Sequence, residues 1–256
     1  MNLDRYLTRI GLTPPLPLTA DTLRRIHVAH LAAFTFNNLE IQRGGSIRTD
    51  ADSVAEKFFG DYGGGYCFEQ NTLLAEALQQ LGFQVTTHLG RVGAAGRALN
   101  HMLLRVDIDG QSWLADTGFG GEGPLEPIAL VDGARVRQDG VEYSLRREDH
   151  YWILTIHYSG ASEEMYRFSD LPFTADDVAM ANYYISTHPD SIFRRTLTIQ
   201  RVTPEERLIL RPAVITRYRN GVRTDTAIEP SDIRRHARDL FGIELGEEPL
   251  LFEKET

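Results

Sequence analysis

The chain of 256 residues has a single cysteine, Cys67, so no internal disulfide can form and no oxidising compartment is required. Lysine occurs only at Lys57 and Lys254. There is no clustered basic run, and the net charge is −9, which excludes the electrostatic footprint of a nucleic-acid binder. No apolar run reaches transmembrane length, and the N-terminal segment MNLDRYLTRIGLTPPLPL has no continuous apolar stretch of signal length. A cytoplasmic protein without a membrane partner is the expectation. Internal repeats, low-complexity tracts and a P-loop are absent as well.

What is present is ordinary globular composition, 42% apolar and 25% charged, in a chain long enough for a substantial core. The first third reads as helical. A short amphipathic turn over residues 4–10 stops at Gly11 and the Pro14/Pro15/Pro17 cluster. Thr19 is placed to cap a helix with Leu23, Ile26, His27, His30 and Leu31 at helical spacing. Asp50 or Asp52 caps a second helix that runs through Phe58 and Phe59. A third runs from Cys67 to Leu81 and ends at Gly82.

After Gly82 the pattern turns to strands: FQVTTHLGRV, HMLLRVDI, QSWLADT, VEYSLRRE and YWILTIHYS, an antiparallel sheet or barrel. A helix capped by Thr174 follows, then strand-like RTLTIQRV and RLILRPAVITRYR, then a last helix from Pro230 or Ser231. Helices, then strands, then a mixed end make an α+β chain of three parts. We place them at 1–84 (helical, with the thiol), 85–174 (β-barrel) and 175–256 (α/β).

A lone cysteine is usually a small buried hydrophobe. Cys67 has a different setting: in GGGYCFEQN a glycine-rich turn becomes a helix at the thiol. Unpaired backbone N–H groups and the helix dipole at such an end favour a thiolate, and the glycines admit a substrate close to the backbone. The Cys67 N–H is a candidate oxyanion donor.

A nucleophilic thiol needs a base and the base an orienter. Of the eight histidines, His27 and His30 read as packing residues on their helix, with no Cys or acid cluster to make a metal site. His88, His150 and His157 lie in strand regions without an evident partner, and His236 is flanked by charges. His101 stands apart. Asp109-Gly110 is a two-residue hairpin signal, so paired residue numbers sum to 219 and Asp116 falls opposite Leu103. His101 shares the face of Leu103, which makes His101 and Asp116 diagonal neighbours with Cβ atoms about 7–8 Å apart. The other face carries Met102, Leu104, Val106, Ile108, Trp113 and Ala115, a coherent apolar surface.

With these residues in order, the chain resembles the arylamine N-acetyltransferases. FTFNNLEI resembles the family's Phe-Glu-Asn-Leu segment, and GGGYCFEQN its Arg-Gly-Gly-Tyr-Cys-Phe-Glu motif. NHMLLRV and WLADTGFGG resemble the His and Asp segments, and ANYYISTHPDSIFRRTLTIQR the Ser/Thr-Pro-x-Ser-x-Phe stretch. The resemblance implies an N-terminal helical bundle, an antiparallel β-barrel and a C-terminal α/β lid around a cysteine-protease-like core. It implies a catalytic triad of Cys67, His101 and Asp116. The activity implied is ping-pong transfer of acetyl from acetyl-CoA, as co-substrate, to aromatic amines and hydrazines, with no metal, by a monomer or homodimer.

By motif position Phe36, Phe119 and Phe193 are candidates for the acceptor pocket. Thr187 and Ser191, with glycines near 90 to 96, are candidates for the CoA arm. Gly63 departs from the pattern, standing where the family usually has Arg; Arg43 or Arg97 are the substitutes considered. The same triad would also serve an amide synthase that closes an aromatic polyketide onto its own amine, or a peptidase-like acyl transferase. An inert Cys67 would leave only a binding module.

Overall fold

The computed structural model describes residues 1–60, 63–93, 98–158 and 160–254. Among these, helices and two minimal strands fill the first part: α1 (Leu3–Arg9), α2 (Ala20–Ala33), β1 (Thr35–Asn37), α3 (Leu39–Gln42), α4 (Ala51–Phe58), β2 (Gly64–Gly65) and α5 (Cys67–Leu81). The expected caps are in place. Thr19 accepts the Thr22 N–H, and Asp50, rather than Asp52, accepts the Ser53 N–H at 3.0 Å. Gly82 ends α5 in the left-handed region at φ 100°.

Eight antiparallel strands follow: β3 (Gln84–Val92), β4 (His101–Ile108), β5 (Gln111–Ala115), β6 (Ile128–Ala129), β7 (Arg135–Gln138), β8 (Val141–Glu148), β9 (Tyr151–Tyr158) and β10 (Ala161–Ser169). They form one sheet in the order β6-β5-β4-β3-β10-β9-β8-β7. The Gln138 side chain bonds both the N–H and the C=O of Glu126, drawing β7 toward the segment that enters β6 and nearly closing the barrel.

The β4–β5 hairpin has the register read from the sequence. Ile108 pairs with Gln111 and Leu104 with Ala115, and both turn residues have positive φ, Asp109 at 49° and Gly110 at 78°. Its two faces serve two cores. Met102, Leu104, Val106, Ile108 and Ala115 pack on the helical core that includes Cys67, Phe68, Leu74 and Leu78. Leu103 and Leu114 point into the barrel with Tyr143, Leu154 and Tyr166. One hairpin thus joins the thiol-bearing helix to the barrel, and His101 lies at its start.

The remainder is α6 (Ala175–Thr187), α7 (Ile192–Arg195), β11 (Ile199–Val202), β12 (Arg207–Arg211), β13 (Val214–Arg219), β14 (Val222–Ala227), α8 (Ile233–Phe241) and α9 (Leu251–Lys254). RLILRPAVITRYR is therefore a hairpin rather than one strand, and a 3-10 turn at Pro230–Asp232 precedes the last long helix. Strand β14 was not expected from the sequence. It is polar and exposed along its length and follows Asn220-Gly221, both at positive φ. The sheet it edges runs β14-β13-β12-β11-β1-β2, so strands from either side of Cys67 in the sequence lie together: β1 is antiparallel to β11 and parallel to β2. Among the described residues no helix is long and apolar enough to cross a membrane.

Candidate active site

Cys67 is the first residue of α5, and the parallel β1–β2 pair delivers it there. Glycine is required on the way in. A Cβ on Gly64 would stand 1.8 Å from the Thr35 carbonyl oxygen, and one on Gly65 would stand 2.4 Å from the Glu69 carboxylate. That carboxylate accepts the Tyr66 N–H at 3.2 Å and pairs with Lys57 at 2.7 Å, so the turn into the thiol is fixed from within. Burial raises the Glu69 carboxyl above its usual range, and the Lys57 ammonium opposes this.

Gly63 itself adopts φ 55°, where an arginine would be strained. The guanidinium nearest to its absent Cβ is that of Arg9, 3.7 Å away. Arg43 donates to the carbonyls of Glu244 and Leu245, and Arg97 lies outside the described residues, as does Gly96.

His101 Nε2 donates to Asp116 Oδ2 at 2.7 Å. The other carboxylate oxygen, Oδ1, accepts from Asn71 Nδ2 at 3.0 Å and from the Gly118 N–H at 2.9 Å. Asn71 also accepts the Thr117 N–H at 3.0 Å and donates to the Met102 carbonyl at 2.6 Å, tying α5 to β4 and to the segment that leaves β5. Gly118 is pressed against the nucleophile's own backbone: a Cβ there would meet the Cys67 Cα at 2.8 Å. All three side chains are secluded, with exposures of 2% for Cys67, 3% for His101 and 2% for Asp116.

Burial disfavours a charged His101, but the Asp116 carboxylate, by charge and hydrogen bond, outweighs it, and the Cys67 sulfur adds to the effect. The imidazolium is held up to about 10. Asp116 is pushed up by burial and pulled down harder by His101, Asn71 and Gly118, so it ends below its usual range. The arrangement stores a proton on His101 between an anionic orienter and the Cys67 sulfur. Such an arrangement suits nucleophilic acyl transfer.

The three aromatic candidates fall on two sides. The Phe119 ring meets His101 edge-on at 5.5 Å, and Tyr166, unnoticed in the sequence, lies 4.9 Å from the same imidazole. Phe193 meets Tyr66 edge-on at 5.4 Å and Phe36 at 6.1 Å. The hydroxyls of Thr187 and Ser191 are engaged at the helix ends: Thr187 donates to the Tyr183 carbonyl at 2.5 Å, and Ser191 accepts the Phe193 N–H at 3.3 Å.

His27 and His30 do more than pack. His30 bridges Tyr6 and Gln70, both at 2.9 Å, and Gln70 donates to the Thr35 and Gly65 carbonyls beside the thiol. His27 contacts the Leu125 carbonyl and the Asp116 N–H. Burial lowers His27 to about 4 and His30 to about 3, and it lowers His88 as well.

These shifts set a pH dependence. Below the ordinary histidine value of 6.5 the unfolded chain binds protons at His27, His30 and His88 that the folded chain refuses, so stability falls as pH drops from 6.5 toward 4. Glu69, raised, opposes this with one proton. Above 6.5 the folded chain keeps the His101 proton that the unfolded chain loses, so stability also falls as pH rises toward 10. Each titrating proton changes stability by about 1.4 kcal/mol per pH unit. Thermal melts are expected to peak near pH 6.5 and decline on both sides; a flat profile between about pH 5 and 9 would contradict these assignments.

A family model described as N-acetyltransferase matches residues 19–250. The arylamine N-acetyltransferase of Escherichia coli K12 is 34% identical over 224 residues, 86% of this chain and 80% of the relative. Among solved structures, the arylamine N-acetyltransferase of Mycobacterium abscessus matches with a TM-score of 0.91 and 31% identity, over 99% of this chain and 94% of that one. The Mycobacterium marinum arylamine N-acetyltransferase in complex with CoA matches with a TM-score of 0.89 and 29% identity, over 96% of this chain and 95% of that one.

Proposed function

The chain belongs to the arylamine N-acetyltransferase family, and on that premise we propose that Cys67 carries an acetyl group from acetyl-CoA to aromatic amines and hydrazines. The observation behind this reading is the 2.7 Å His101–Asp116 contact beside a thiol at the start of a helix. The amide-synthase and peptidase readings share the triad but not the name of these relatives, and we set them aside.

In the first half-reaction the Cys67 sulfur, as a thiolate paired with the His101 imidazolium, attacks the thioester carbonyl of acetyl-CoA. The carbon–sulfur bond to CoA breaks, the His101 proton goes to the departing CoA sulfur, and acetyl-Cys67 remains with a neutral imidazole. In the second, the amine nitrogen attacks the acetyl carbonyl, His101 takes the amine proton, and the Cys67 sulfur leaves as thiolate. The ion pair is then restored. One thioester is exchanged for another in the first half, so little free energy is lost before the amide forms. The oxyanion is met by the Cys67 N–H at the first position of α5.

Phe119 on one side, and Phe36 with Phe193 on the other, form the apolar walls for an aryl group. The α6–α7 turn, with Thr187 and Ser191, flanks the CoA arm. The described reaction has two separate steps, so double-reciprocal plots at several fixed acetyl-CoA concentrations should be parallel. Lines that intersect would mean direct transfer in a ternary complex and would overturn the carrier role of Cys67.

A further inference from the structure

Asp116 is held at three atoms. Two are the carboxylate oxygens, bound by His101, Asn71 and Gly118. The third is its backbone nitrogen, which donates to His27 Nε2 at 3.1 Å. His27 is fully buried on α2. Its Nδ1 lies 2.9 Å from the Leu125 carbonyl, which can only accept, so the ring proton sits on Nδ1 and Nε2 offers its lone pair to Asp116. A single imidazole therefore staples both ends of the loop that runs from Asp116 through Gly118 and Phe119 to Leu125.

We propose that His27 is a positioning residue for acyl transfer, fixing the Asp116 backbone through Nε2 and so the aim of its carboxylate at His101. This rests on the reading of the triad given above. The carboxylate has little other freedom to correct its aim, because Oδ1 is tied to Gly118 two residues on along the same backbone. A rotation of the Asp116 peptide would carry both oxygens with it. The contact requires the neutral ring, since an imidazolium would place N–H against N–H. Burial supplies that condition against the opposing pull of the Leu125 carbonyl and of Asp116.

Two near-isosteric variants separate the two ring nitrogens. His27→Gln keeps an acceptor at the Nε2 position, whereas His27→Asn keeps only a donor toward Leu125. The rate of Cys67 acetylation by acetyl-CoA, followed by CoA release in a single turnover, should fall about 10- to 100-fold in His27→Asn, the usual cost of losing an outer partner of a functional side chain. The acetyl-CoA concentration giving half-maximal rate should stay the same, and His27→Gln should recover most of the loss. Equal rates in the two variants, wild-type rate in His27→Asn, or a change confined to acetyl-CoA affinity would overturn the proposal. The nitrogen-15 NMR shifts of His27 in the wild-type protein at neutral pH give a test that needs no variant. They should report Nδ1 protonated and Nε2 bare; the opposite tautomer or an imidazolium would overturn it. If wild-type Cys67 takes no acetyl group at all, the reading of the triad fails, while the NMR result still judges the His27 contact.

Discussion

Asp116→Asn should lower the rate of Cys67 acetylation by about 10⁴-fold, the cost seen when a triad carboxylate becomes an amide. The size follows from where the replaced atoms sit. Gly118 and Asn71 both donate to Oδ1, so the oxygen of the substituted amide would be claimed on that side. Its NH₂ group then faces His101 Nε2 and accepts nothing. The imidazole must turn its proton to Nδ1 or give it up, which is the wrong tautomer for a base that has to take a proton from the acceptor amine. The same change removes the charge that holds the imidazolium up to about 10, leaving burial to push it down. The loss should fall on the acetylation rate more than on acetyl-CoA affinity. Wild-type rates in this variant, checked by single-turnover CoA release, would mean that the 2.7 Å contact has no part in catalysis.

Cys67→Ala should abolish acyl transfer to the detection limit and leave the fold intact. Alanine suits the first turn of a helix, and the exchange removes one buried sulfur from a site that glycine contacts already hold tightly. Stability should change by no more than about 1 kcal/mol, typical of a small substitution that leaves no charge uncompensated. Turnover of an arylamine by the variant comparable to wild type, in a steady-state acetylation assay, would remove the thiol from the mechanism.

The His101–Asp116 contact and the helix-start position of Cys67 were legible because each is announced locally. Asp109-Gly110 sets the hairpin register by backbone conformation alone, and side-chain alternation then places Asp116 near His101. Cys67 is announced by the glycines before it. Asn71 could have been found by the same logic, since it is four residues from Cys67 and so on the same face of α5. Strand β14 carries its own Asn-Gly turn signal, but its six exposed residues offer no apolar pattern to read.

Other features lie beyond local rules. Strands β1 and β2 have three and two residues, and they exist because β11, more than 130 residues later, supplies the edge they join. Tyr166 reaches His101 only because β10 pairs with β3 rather than with β9 alone. His27 has helical apolar neighbours in sequence, so a packing role is what its periodicity suggests. Its contact with Asp116 spans 89 residues and follows from how α2 docks against the end of β5.

The most direct test of the account is the intact mass of wild type and Cys67→Ala after brief exposure to acetyl-CoA without acceptor. Wild type should gain one acetyl group and the variant none, and an added aromatic amine or hydrazine should discharge the adduct. An unmodified wild-type chain whose thiol still reacts with alkylating agents, or an acetyl group that survives the amine, would contradict Cys67 as the acetyl carrier.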